Sequence, residues 1–158
     1  MVKFPYQSIL IVCSVNTARS RMAEGFLKDF FFKNKLDIKV KSGGISSNAR
    51  DGMTISMDAK LAMKEVGIKL SEKALSIDLK RHPEFFYNID LILTLTEKHK
   101  EEIHELFTFN SCEILTIKEF AGENGNIEDP CMKELEGFRV ARDEITENLL
   151  KGLNKYSF

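Results

Sequence analysis

The chain has 158 residues, with 23 Lys and Arg against 24 Asp and Glu for a formal net charge of −1. That balance gives no field to gather nucleic acid or an anionic membrane, and the length fits one domain, residues 1–158, with a core of its own. No apolar run reaches the length of a membrane span, no signal-peptide pattern opens the chain, and Cys13, Cys112 and Cys131 lie too far apart for a disulfide framework or a zinc site. A cytoplasmic protein using neither metal nor cofactor is the expectation.

Ser8-Ile-Leu-Ile-Val12 is a short β-branched run and predicts a buried strand. From Met22 the apolar spacing turns helical, with Met22, Phe26 and Phe30 on one face and Ala23, Leu27 and Phe31 beside them. Between the two lie Cys13-Ser14-Val15-Asn16-Thr17-Ala18-Arg19-Ser20, a C-x5-R step with a cysteine at the end of a strand and an arginine where a helix begins. Such a loop aims several backbone N–H groups at one point and adds the positive end of the helix dipole. It can bind a tetrahedral oxyanion and favours a thiolate over a thiol, and the planar fork of an arginine can hold two phosphate oxygens. A cysteine ending a buried strand can also be only a small hydrophobe, so the spacing by itself leaves both readings open.

Further along, residues 38–42 alternate as a second strand that runs into Gly43-Gly44, and residues 45–52 form a polar loop. Ala59, Ala62, Met63 and Val66 share a helical face that Gly67 ends. Residues 70–79 are mixed, with only the last few starting a short helix; after Pro83, the residues Phe85, Phe86 and Tyr87 make an apolar patch. Residues 90–95 predict a third strand, and Thr96 caps a helix that turns Ile103, Leu106 and Phe107 inward. His82, His99 and His104 are scattered, and the last two fall on a predicted exposed face of that helix, where a solvated histidine is the expectation. Residues 112–117 predict a fourth strand, residues 121–130 a turn-rich loop, and Leu135, Phe138, Ile145, Leu149 and Leu153 a final helix. Strands alternating with helices predict an α/β fold: a four-stranded parallel sheet with helices on both faces and the phosphate-binding loop between the first strand and first helix. In such sheets ligands bind beyond the carboxyl ends of the strands at a topological switch point, the edge where Cys13 falls.

Taken together, Cys13-Ser-Val-Asn-Thr-Ala-Arg-Ser-Arg-Met-Ala-Glu24 resembles the opening of the low-molecular-weight protein tyrosine phosphatases. Asp129-Pro130, before the last helix, resembles that family's acid loop; by itself the pair would be read as a turn initiator. Ser42-Gly43-Gly44 and the third-strand run ending at Thr96 also fit, so the likeness covers nearly the whole chain. It implies that Cys13 attacks phosphorus in line, that Arg19 and the N–H groups of Ser14 to Ser20 hold the equatorial oxygens, and that Asp129 protonates the leaving atom and then deprotonates water to release phosphate from cysteine. It further implies that Asn16, Ser20 and Ser42 brace the loop, with the Ser20 hydroxyl bonding the thiolate. The implied partners are phosphorylated proteins, with inorganic phosphate as product and neither nucleic acid nor membrane engaged.

Departures from the family pattern bear on the substrate. Thr17 stands where its tyrosine phosphatases carry isoleucine and is similar to the protein arginine phosphatases of the same family. Its hydroxyl can orient the attacking water, and its methyl crowds the wall against an aryl ring. Cys131 and Met132 replace aromatics that would stack on phosphotyrosine, and residues 45–52 offer none either; Cys131 also departs from the phenylalanine of the arginine phosphatases. Val15 replaces a glycine and would strain the loop if that position needs unusual backbone angles. Glu72 stands where a bracing histidine is common, Arg21 replaces a proline, and Ala18 replaces a second loop cysteine. The reading is a phosphoarginine phosphatase, with a tyrosine phosphatase proper as the alternative. Less favoured are an arsenate reductase, whose relay cysteines are missing from residues 94–102, and a catalytically weak phosphate-binding module.

Overall fold

The computed structural model describes residues 1–108 and 112–158. Its centre is a four-stranded, all-parallel sheet of β2 (Ser8–Cys13), β3 (Lys39–Gly44), β4 (Leu91–Thr94) and β5 (Glu113–Thr116), in the order β3-β2-β4-β5. Strand β2 is paired on both sides, with Ile9 opposite Val40 and Leu91. Its side chains therefore alternate between two buried layers, which is why its sequence reads as a continuous apolar run. Ile9, Ile11, Leu91 and Leu93 face the larger core, with Met22, Leu27 and Phe31 of α1 (Arg19–Lys33), Ala59 and Met63 of α2 (Met57–Lys64) and Ile145 and Leu149 of α5 (Glu134–Leu153). Leu10, Val12 and Ile92 face the smaller one, with Leu79, Phe86 and Ile103 of α3 (Glu97–Leu106). Helices cover both faces of the sheet. Truncating a residue such as Ile11, which is fully buried, would cost roughly 2–5 kcal/mol.

From β2 the chain crosses to β3 on one side and then to β4 on the other, so the switch point lies at the carboxyl ends of β2 and β4, where Cys13 stands. Gly44 permits close approach there: a Cβ on it would lie 2.6 Å from the Ser14 carbonyl oxygen.

Several local expectations shift. Helix α2 ends at Lys64 in a Schellman closure: Ile68 N–H donates to Met63 O at 3.0 Å and Gly67 N–H to Lys64 O at 3.0 Å, with Gly67 at φ +81°. Val66 falls outside this helix and is exposed rather than on its buried face. Leu106, at the last turn of α3, is exposed, while Phe107 packs at 4.3 Å between ring centroids on Phe86. Phe86 is buried in the turn Pro83–Phe86, and the following Tyr87 points outward. Ile117 opens a one-turn helix, α4 (Ile117–Phe120), instead of closing β5, because Thr116 and Glu119 form a reciprocal capping box. Two short strands, β1 (Val2–Lys3) and β6 (Tyr156–Ser157), pair in parallel and join the chain ends through Phe4, Tyr6 and Tyr156; two residues carry no readable period. Among the described residues, no helix is long and apolar enough to cross a membrane. Cys13, Cys112 and Cys131 are unpaired.

Candidate active site

The loop from Cys13 to the start of α1 wraps a buried polar network. Cys13 is 3% exposed and its Sγ lies 2.8 Å from Ser20 Oγ and 3.2 Å from the backbone N–H of Asn16. Asn16 Nδ2, which can only donate, reaches Ser20 Oγ at 2.8 Å and Ser42 Oγ at 2.9 Å. Both hydroxyls are thus acceptors toward Asn16 and keep their own protons for the next partner. Ser20 turns its proton to Cys13 Sγ, and Ser42 donates to Glu24 Oε1 at 2.6 Å. Glu24 is held in turn by Arg21 at 2.9 Å and Lys28 at 2.8 Å. Asn16 Oδ1 accepts the Ile77 N–H at 3.0 Å, so its amide is fully used. Two hydrogen-bond donors thus converge on the sulfur.

The backbone supports this arrangement. Asn16 has φ +65°, a left-handed conformation that asparagine tolerates better than most residues. Helix α1 is capped by Ala18 without a side-chain hydrogen bond and has no acidic residue in its first turn. Its leading N–H groups are therefore free to serve an anion in the loop.

Arg19 is 5% exposed and lies across the mouth of the loop. Nη1 donates to Ile127 O at 2.8 Å, Nη2 donates to Ser14 Oγ at 3.3 Å, and Nη2 lies 3.9 Å from Asp129 Oδ2. The Asp129 side chain is 56% exposed. It reaches the loop because Ile127 extends the sheet ladder past β4, its N–H donating to Leu95 O at 2.9 Å while Leu95 N–H donates to Val12 O at 3.0 Å. Asp129 Oδ1 accepts the Cys131 N–H at 3.0 Å, an Asx-type turn that aims the second oxygen at Arg19.

Residues 8–156 match the family model described as low molecular weight phosphotyrosine protein phosphatase. The chain belongs to that family. It is 35% identical over 142 residues to a protein-arginine-phosphatase of Geobacillus stearothermophilus, covering 89% of each chain. Its fold is similar to that of a low molecular weight protein tyrosine phosphatase from T. tengcongensis, with TM-score 0.86 and 31% identity over 94% of this chain and 99% of that one. It also resembles a YwlE arginine phosphatase variant bearing a phosphorylated active-site serine, with TM-score 0.83 and 30% identity over 94% and 93% of the two chains.

In this phosphatase-family chain the remaining residues singled out from sequence take distinct places. Thr17 is half-buried, and its carbonyl accepts the N–H of Ser56, the N-cap of α2, at 2.9 Å. Cys131 is exposed in the acid loop beside Met132, which is 95% exposed; the side chains of Thr17 and Cys131 make no hydrogen bond among the described residues. Val15 is not the strained position, since the positive φ belongs to its neighbour Asn16. Glu72 is exposed and stays out of the network that Glu24 closes.

His99 corrects the sequence reading: it is 2% exposed, and its Nε2 lies 2.8 Å from Ser14 Oγ. Burial, followed by the charges of Arg19 and Lys98, lowers its pKa to about 3. Its spacing held the signal. Residues 99, 103 and 107 recur at four-residue steps on one helical face, so a helix burying Ile103 and Phe107 also buries His99. His104, one residue past Ile103, is exposed as expected.

Proposed function

We propose that this chain, read as a single phosphatase domain over residues 1–158, is a cysteine-dependent protein phosphatase that hydrolyses phosphoarginine through a phosphocysteine intermediate. The observation that carries the reading is the convergence of Ser20 and Asn16 N–H on Cys13 Sγ, with Arg19 and Asp129 at the same mouth. Sγ attacks phosphorus and forms the S–P bond as the bond to the leaving nitrogen breaks. The loop N–H groups and Arg19 hold the three equatorial oxygens, where charge is spread in the transition state. Asp129 gives its proton to the departing guanidine nitrogen. The resulting carboxylate then takes a proton from water, which attacks phosphocysteine and returns the thiolate with inorganic phosphate. Thr17 orients that water. Since the chemistry uses Cys13 unoxidised, a reducing compartment such as the cytoplasm suits it.

Phosphoarginine is favoured because neither residues 45–52 nor residues 129–135 supply an aromatic wall, so a phenyl ring would find nothing to stack on, whereas a guanidine on a flexible stem needs no such clamp. The arginine-phosphatase relative at 35% identity supports the same choice. Phosphotyrosine is the second reading, supported by the family description and the T. tengcongensis structure. Turnover of one peptide sequence carrying either phosphoarginine or phosphotyrosine decides between them. Higher kcat/KM on phosphoarginine is expected; a clear preference for phosphotyrosine overturns the substrate choice, and no turnover of either, or of para-nitrophenyl phosphate, overturns the enzyme reading.

A further inference from the structure

We infer that His99 is a positioning residue for Arg19: through Nε2 it fixes Ser14 Oγ as an acceptor, and Ser14 holds the guanidinium in the orientation that meets phosphate. This rests on the phosphatase reading of the loop. His99 is the third residue of α3, whose cap Thr96 accepts the His99 N–H at 3.2 Å. Its Nδ1 is buried without a hydrogen-bond partner among the described residues, while Nε2 lies on Ser14 Oγ.

That asymmetry assigns the proton. A charged imidazole would bury an N–H at Nδ1 with no acceptor beside an arginine, and a neutral ring protonated at Nδ1 would bury the same unpaired donor, which folded proteins rarely leave. A neutral ring protonated at Nε2 leaves only a lone pair unmatched and directs its one N–H to Ser14. Ser14 Oγ then accepts from His99 Nε2 at 2.8 Å and Arg19 Nη2 at 3.3 Å, so both lone pairs are occupied and the hydroxyl is locked.

The consequence falls on Arg19. Its fork has two fixed acceptors, Ile127 O on Nη1 and Ser14 Oγ on Nη2. If Ser14 is released, the guanidinium can pivot about its bond to Ile127, and the nearest counter-charge for Nη2 is Asp129 Oδ2 at 3.9 Å. A tighter pair there would turn Arg19 from the phosphate and draw the Asp129 side chain away from the leaving atom. Both effects weigh on the transition state more than on substrate binding.

The test compares His99→Leu, His99→Gln, Ser14→Ala and the His99→Leu/Ser14→Ala double variant in the full chain. With para-nitrophenyl phosphate, His99→Leu should lower kcat by about ten-fold or more while KM moves less than about three-fold, an indirect share of what losing a direct transition-state donor costs. Glutamine can place an amide N–H near the position of Nε2, so His99→Gln should restore most of the loss. The double variant should be no worse than the poorer single one, since both cut the same link. An unchanged kcat in His99→Leu, equal losses for Leu and Gln, or additive losses would overturn the inference. Nitrogen NMR gives a readout independent of turnover. In wild type, His99 should be protonated at Nε2, and Arg19 should show slowed Nη rotation that is released in His99→Leu; unchanged Arg19 rotation would overturn the inference. If wild type turns nothing over, the phosphatase reading fails, and the NMR result still decides the role of His99.

Discussion

The two loops that meet at this site are built in opposite ways. The nucleophile loop is held from beneath: Asn16 and Ser20 are fully buried, Ser42 nearly so, and every polar atom of the Asn16 amide is used. The acid loop is held at its two ends, by Ile127 on the sheet ladder and by buried Pro130, while Asp129, Cys131 and Met132 face solvent. Met132 and Glu134 both have positive φ, at 69° and 56°, where the loop turns into α5. The Cys13 loop is thus preorganised by the interior, and Asp129, the proposed acid, is presented from a surface turn. Mutations should therefore separate into those that cost chemistry alone and those that cost structure and chemistry together.

The largest effect should come from the exposed side. Asp129→Asn is expected to lower turnover by about 10²- to 10⁴-fold, as for a general acid–base group, with almost no change in melting temperature. The deficit should be smaller for para-nitrophenolate, which leaves without much protonation, than for a phosphoarginine peptide. Equal deficits for both, or a large stability loss, would break the contrast.

From the buried side, Asn16→Ala should cost structure as well. It strips two hydroxyls and the Ile77 N–H of their partner at a left-handed position, so a destabilisation of roughly 2–4 kcal/mol is expected. That corresponds to a drop in melting temperature on the order of 5–15 °C for a domain of this size. Calorimetry checks it, and an unchanged melting temperature would mean that the network is ornamental to the fold.

Within the Cys13 loop, Thr17→Ile should raise the ratio of phosphotyrosine to phosphoarginine activity by roughly ten-fold, which needs only about 1.4 kcal/mol of differential transition-state stabilisation. Paired kcat/KM values on matched peptides measure it; an unchanged ratio would remove Thr17 from substrate selection.

The smallest effect concerns the polar loop of residues 45–52. Asp51 Oδ2 and Glu84 Oε1 flank His82, at 2.8 and 3.1 Å, and raise its pKa above 6.5. The hydrogen bond from the Asp78 N–H, then the bond to His82, lower that of Asp51 below 3.8. The histidine's share of stability is present below its unfolded value of 6.5 and is lost as pH rises through the raised folded value. The aspartate's share is present above 3.8 and is lost as pH falls through the depressed one. Melting temperature should therefore decline slightly as pH rises above about 6.5, and a His82→Gln variant should lack that slope. A decline of equal size in both would exclude the bridge as its source.

The sequence made these two loops legible to different degrees. C-x5-R after a β-branched run is a local pattern, and the strand, the loop and the helix follow from residues 8–31 alone. Asp129-Pro130 carries no local sign beyond a turn; its place beside Arg19 depends on Ile127 joining the sheet beyond β4, a contact between residues 32 positions apart that only the family likeness anticipated. The parallel sheet followed from alternation of strands and helices, but the capping box at Thr116 and the Schellman closure at Gly67, both written in short local signatures, moved element ends by one to three residues. His99 shares the buried face of α3 and not the exposed face of His104. Histidine at a buried helical position reads as solvated until the face is counted from Ile103.

The central claim, that Cys13 carries the phosphoryl group, is tested most directly by trapping it. In Asp129→Ala, para-nitrophenyl phosphate can still transfer phosphate to sulfur because its leaving group needs little protonation, while the water step lacks its base. Rapid quench in neutral to mildly alkaline denaturant, which preserves both S–P and N–P bonds, followed by mass spectrometry of the peptides should find a thiophosphate on Cys13 that accumulates in that variant and is lost in Cys13→Ala/Asp129→Ala. Phosphate on a histidine, or on a serine while Cys13 is intact, would contradict the account.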